Sequence, residues 1–143
     1  MGEEEPIEGL NELLRTIRMR KEWRKQMREA GLLPKKEPEY EWVTEAGIII
    51  RPKFGKPLEY LKEIASKKRL IEAIRYVYAF LPEEDRKTFK NLIDLLSSNL
   101  ISKELRRKLG DYLIKIIELD LEKPLSSKIK KMIREEPIPN PLP

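Results

Sequence analysis

The sequence predicts an all-α protein: a C-terminal antiparallel bundle of three to four helices, joined by a Pro/Gly-rich linker to a long N-terminal basic helical arm. Three observations predict it. Apolar residues recur at helical spacing from Leu58 to about residue 135, prolines and glycines gather in residues 31–57, and RTIRMRKEWRKQMR, residues 15–28, packs seven cations against one carboxylate. Outside that stretch 23 Lys+Arg face 24 Asp+Glu, so the positive balance of the whole chain is local.

The arm, residues 1–30, is read as a helix from Pro6 to about Ala30. Pro6 suits a first turn, Glu3, Glu4 and Glu5 complement the positive end of the dipole, and Gly31 with Pro34 closes it. About 24 residues at 1.5 Å each make a rod of about 36 Å. Leu10, Leu13, Leu14 and Ile17 form an apolar stripe whose continuation is Lys21, Arg24, Lys25 and Arg28, while Met19, Trp23 and Met27 follow a second stripe. A face broken in this way predicts a helix that finds no core within its own chain.

Residues 31–57 carry Pro34, Pro38, Pro52 and Pro57 with Gly31, Gly47 and Gly55, a composition that excludes a long helix. YEWVT and IIIRPKF are β-prone, so the linker is read as a small hairpin or as an extended arm packed through Tyr40, Trp42 and Phe54. The bundle then occupies 58–135. Its first helix ends before Pro82, a second opens on Glu83, Glu84 and Asp85, Ser102 offers an N-cap to a third, and a short fourth runs from Ser126 to about Glu135. Gly110 marks a weak spot or a close helix approach. The tail 136–143, EPIPNPLP, is expected to be extended, frayed or laid across a neighbour.

Cysteine and histidine are both absent, which removes disulfides, thiolate nucleophiles, imidazole bases and the usual zinc sites. No metal, cofactor or catalytic residue is expected. The single Gln and the abundance of Lys, Glu and Ile resemble hyperthermophile composition. No run approaches a membrane span and the N-terminus opens on acids, so an intracellular protein, or one packaged from inside a cell, is expected. Glu83, Glu84 and Asp85 read as complements to a helix dipole, and Arg106, Arg107 and Lys108 as a lesser basic patch, either a solvated bundle face or a contact with the same polyanion as the arm.

The basic helix points to nucleic acid. Arg15, Arg18, Lys21, Lys25 and Arg28 step by three or four with Arg24 beside them, and Arg20 lies toward another side. Like charges so spaced repel until an anion neutralises them, and duplex DNA offers a charge every ~1.7 Å. Without a base-reading motif, Arg15, Arg18, Arg20, Lys21, Arg24, Lys25 and Arg28 are expected to contact phosphates without sequence preference. Leu10, Ile17, Met19, Trp23 and Met27 are expected to contact neighbouring subunits. A cellular nucleic-acid-binding or replication accessory protein, and a helical adaptor for an acidic partner, are the alternatives.

A basic N-terminal helix (Arg15 to Arg28), an elbow (GLLPKKEP) and a C-terminal bundle (Leu58 to Glu135) together resemble the major coat proteins of filamentous double-stranded DNA viruses of archaea. The resemblance is one of layout. It implies a structural protein of the virion, in which paired subunits, identical or paralogous, wrap linear DNA with their N-terminal helices and hold it in the A form. A membrane envelope is compatible with that layout and nothing in the residues demands one. The β-forming EYEWVTEAGIII departs from a plain helical elbow.

Overall fold

The computed structural model describes residues 5–33 and 58–143, and the side chains of all of these except residues 58–64. The described residues form five helices and no strand: α1 (Leu10–Glu29), α2 (Leu58–Ala79), α3 (Glu83–Ser97), α4 (Lys103–Leu121) and α5 (Ser127–Glu135). The hairpin or extended arm expected around Tyr40, Trp42 and Phe54 lies outside the described residues. No described helix is long and apolar enough to cross a membrane.

The helix starts follow the capping chemistry of the sequence. Ser102 Oγ accepts from the Leu105 N–H at 3.1 Å, and Ser126 Oγ from the Ile129 N–H at 3.2 Å, each satisfying a donor that has no partner inside its helix. Helix α1 starts four residues later than Pro6 would have it. Residues 5–9 form a turn in which Gly9 takes φ 92°, and the Glu5 carboxylate accepts from the N–H groups of Gly9 (3.0 Å) and Asn11 (2.7 Å). Glu5 thus caps the helix from outside it. A Cβ on Gly9 would meet Thr88 Oγ1 at 2.7 Å, so both its backbone angle and its contact with α3 require glycine.

Helix α4 is the hub, packing against each of the other four. Its Leu109, Leu113, Ile116 and Ile117 meet Leu70, Ile74 and Val77 of α2, Phe89, Leu92, Ile93 and Leu96 of α3, and Ile129, Met132 and Ile133 of α5 in one core. Leu10, Leu13, Leu14 and Ile17 of α1 belong to the same core, all 4% exposed or less. This corrects the expectation of a helix without a core: burying each such side chain contributes about 1.5–3 kcal/mol, enough for four of them to hold half a helix in place. Leu10 and Ile17, expected to contact other subunits, are spent inside their own chain. Helix α1 runs antiparallel to α3, where Thr16 Oγ1 donates to Asp85 at 2.8 Å, and parallel to α4.

Two further expectations change. Arg106 is buried, not solvated: Nη1 donates to the carbonyls of Leu96 (2.8 Å) and Glu136 (3.1 Å), and Nη2 to that of Ser98. The tail lies against its own chain, with Ile138 buried, its N–H donating to the Leu96 carbonyl at 3.1 Å, and Asn140 donating to Asp94.

Gly110 marks a close approach. A Cβ there would stand 3.1 Å from Ile133 Cγ2, 3.2 Å from the Ile133 carbonyl oxygen and 3.4 Å from Arg134 Cα, and the last two are backbone atoms that cannot rotate aside. Gly110→Ala should therefore lose stability by about 1 kcal/mol, the overpacking of α5 outweighing the helix propensity of alanine. Urea denaturation checks the sign, since on propensity alone the substitution would stabilise.

Candidate nucleic-acid interface

The inward side of α1 changes chemistry halfway along. Leu10, Leu13, Leu14 and Ile17 are continued at steps of three and four by Arg20, Arg24 and Arg28, which meet the C-terminal end of α4. Arg20 Nη2 stands 2.8 Å from Asp120 Oδ2 and Arg24 Nη1 3.2 Å from Oδ1, while Arg24 Nη2 donates to the Asp120 carbonyl at 2.7 Å. Arg24 also lies 3.6 Å from Glu122, and Arg28 forms a bidentate pair with it. Arg20, expected on another side, thus stands in one row with Arg24 and Arg28. All three find their anions within the chain, so in this conformation Asp120 and Glu122 occupy the guanidiniums expected on phosphate.

The Asp120 side chain is fully buried. Burial pushes its carboxyl above the ordinary value, and Arg20 and Arg24 pull it back only part of the way. The folded chain therefore binds this proton more readily than the unfolded one, so the contribution of Asp120 to stability is full in acid below its unfolded pKa and declines as pH rises through the folded value. The hydrogen bond to Glu122 raises Arg28 above its ordinary value.

Arg15, Arg18, Lys21 and Lys25 remain exposed. A groove of about 850 Å³ runs between α1 and α4, where Arg15 and Arg18 converge with Lys108 and Lys115 around the half-buried Tyr112. A second, of about 660 Å³, shares Lys115 and adds Lys21 and Lys123. A smaller hollow carries the surface on through Lys108 to Lys103 and Arg107. Much of the negative charge along it is locally engaged: Asp111 pairs with Arg134 at 2.8 Å, Glu118 with Lys130 at 3.5 Å, and Glu122 with Arg24 and Arg28. The result is a continuous net-positive surface along α4, whose 19 residues span about 28 Å.

Sequence reasoning singled out Lys108 in a lesser basic patch and missed Lys103, Lys115 and Lys123 as partners of the α1 cations. Lys108 and Lys115 stand seven residues apart, clear of the buried Leu109, Leu113 and Ile116, so their exposure was legible. That α1 would lie beside them was not, because its docking rests on core contacts of Leu10, Leu13, Leu14 and Ile17 with residues far away in sequence.

The second stripe of α1 stays largely exposed, Met19 at 66% and Trp23 at 54%, with Met27 half-buried. On that side the Arg20 guanidinium lies 5.7 Å from the Phe80 ring centroid, and Phe80 packs edge-on against Tyr76 at 5.4 Å. Among the described residues no group of three or more carboxylates could hold a metal ion. The chemistry on offer is charge neutralisation by ammonium and guanidinium groups carried on two adjacent helices. Comparison with known protein families, curated proteins and solved structures found no match to the chain.

Proposed function

We propose that the protein binds nucleic acid through phosphate contacts, without sequence preference, using the joint face of α1 and α4. The observation that carries this reading is the convergence of Arg15, Arg18, Lys108 and Lys115 on one groove, continued by Lys21 and Lys123. Arginine and lysine spread along two helices suit a backbone polyanion better than a compact ligand, and duplex DNA is the regular polyanion of matching length.

Fluorescence anisotropy with a labelled duplex across a salt series tests it. Each phosphate neutralised contributes about −0.9 to the slope of log K against log salt, so converting all four groove cations to Gln should flatten that slope by about 3 to 4. Salt-insensitive or undetectable binding by the unaltered chain would refute the reading.

A packaging role, with copies side by side on linear DNA as in the filamentous coat proteins, is the second reading. A freely swinging basic arm no longer supports it, since α1 is docked; what favours it is the exposure of Met19 and Trp23, which leaves an apolar stripe for a neighbouring copy. Electron microscopy with linear duplex separates the readings, regular filaments supporting packaging and scattered single particles on DNA opposing it.

A further inference from the structure

The two halves of α1 are held by different forces. Residues 10–17 supply every fully buried side chain of the helix, whereas residues 20–29 supply none. The second half is held chiefly by Arg20, Arg24 and Arg28 on Asp120 and Glu122.

That ionic contact is finely balanced. Asp120 and Glu122 sit at the C-terminal end of α4, where the helix dipole disfavours carboxylates and where the last turn holds no basic residue. Glu122 also takes φ 55°, a left-handed conformation found in no other non-glycine among the described residues. Arg20 Nη1 is buried and makes no hydrogen bond. The acids thus need the arginines, yet the arrangement leaves one donor unspent and one backbone position strained.

We propose that residues 20–29 form an ionic latch that opens from α4 while residues 10–17 stay docked, uncovering Arg20, Arg24 and Arg28 as a second phosphate-binding row. The ligand class is a phosphate polyanion, and this part rests on the function proposed above. Opening exchanges carboxylate partners for phosphate partners, so the guanidiniums stay charge-paired in both states. Released from α4, residues 20–29 fray when no anion is bound, whereas continuity with the docked residues 10–17 and neutralisation by phosphate keep them helical on the polyanion. The row adds three cations in line with the exposed Lys21 and Lys25 of the same helix.

Hydrogen exchange on the full chain decides the latch without DNA. In the unaltered chain the amides of residues 24–29 should exchange at least about tenfold faster than those of residues 13–19, and removing the carboxylates with Asp120→Asn and Glu122→Gln should widen that gap roughly tenfold. Equal protection of both halves that the substitutions leave unchanged would overturn the latch. For the row, Asp120→Asn with Glu122→Gln should bind duplex DNA several-fold more tightly than a charge-matched control on α3, Glu83→Gln with Glu84→Gln, neither of which lines either groove. Equal affinity of the two would overturn the row, whatever the exchange result. If the unaltered chain binds no DNA, the proposed function and the row fall together, while the exchange result still decides the latch.

Discussion

Arg106→Ala is expected to lower the unfolding free energy by about 3 kcal/mol, a large share of the ~5–15 kcal/mol of a typical domain. The guanidinium of Arg106 serves three carbonyls: those of Leu96 and Ser98 where α3 ends, and that of Glu136 where α5 ends. The last carbonyls of a helix have no partner inside it, and a buried one left unsatisfied costs about 1–3 kcal/mol. The Leu96 oxygen would keep its bond from the Ile138 N–H, and the other two sites are only partly buried, which sets the figure well below three full penalties. Arg106→Lys should recover only a fraction, because one ammonium cannot reproduce a planar fork that serves two helix ends. Urea denaturation gives the loss, and the salt slope of DNA binding gives the control: a solvated surface cation would change the slope and spare stability, whereas Arg106→Ala should do the reverse.

That arginine also shows where sequence reading stops. The helices were legible because their signals are local: a serine cap at Ser102, Pro82 ahead of three acids, and apolar residues at regular steps. Arg106 stands between Leu105 and Arg107 with nothing nearby to separate it from the solvated cations beside it; its burial depends on two helix ends meeting, which is a long-range event. The same holds for α1. Its apolar stripe was visible, and so was the turn to cations beyond Ile17, but the carboxylates that receive Arg20, Arg24 and Arg28 lie about a hundred residues away. Read locally, a row of unpaired arginines implies an external polyanion; read in the fold, three of the seven cations are neutralised and the other four still face outward. The surface proposed for nucleic acid therefore shifts from a single helix to a face shared by two. The tail shows the same limit, since Ile138 is buried where its N–H meets Leu96, a residue far earlier in the chain near the end of α3.

Leu13→Ala carries the sharpest consequence for that shared face. Leu13 is fully buried among residues of the common core, and truncating such a leucine removes its transfer free energy and leaves a cavity, for about 3–5 kcal/mol. A leucine on a free arm would lose almost nothing, as expected of Leu100, which is 95% exposed and whose replacement by alanine should fall within about 0.5 kcal/mol. Helix α1 lies on both α3 and α4, so the loss should appear as one cooperative transition shifted to lower urea, with no separate early melting of residues 10–17. A midpoint unmoved by Leu13→Ala would place α1 outside the bundle. The groove of Arg15, Arg18, Lys108 and Lys115 would then be lost as a unit, because two of its four cations reach it only through the packing of Leu13 and its neighbours. Stability and the proposed polyanion binding thus share one cause: the apolar half of α1 fixes the register that brings its cations beside those of α4.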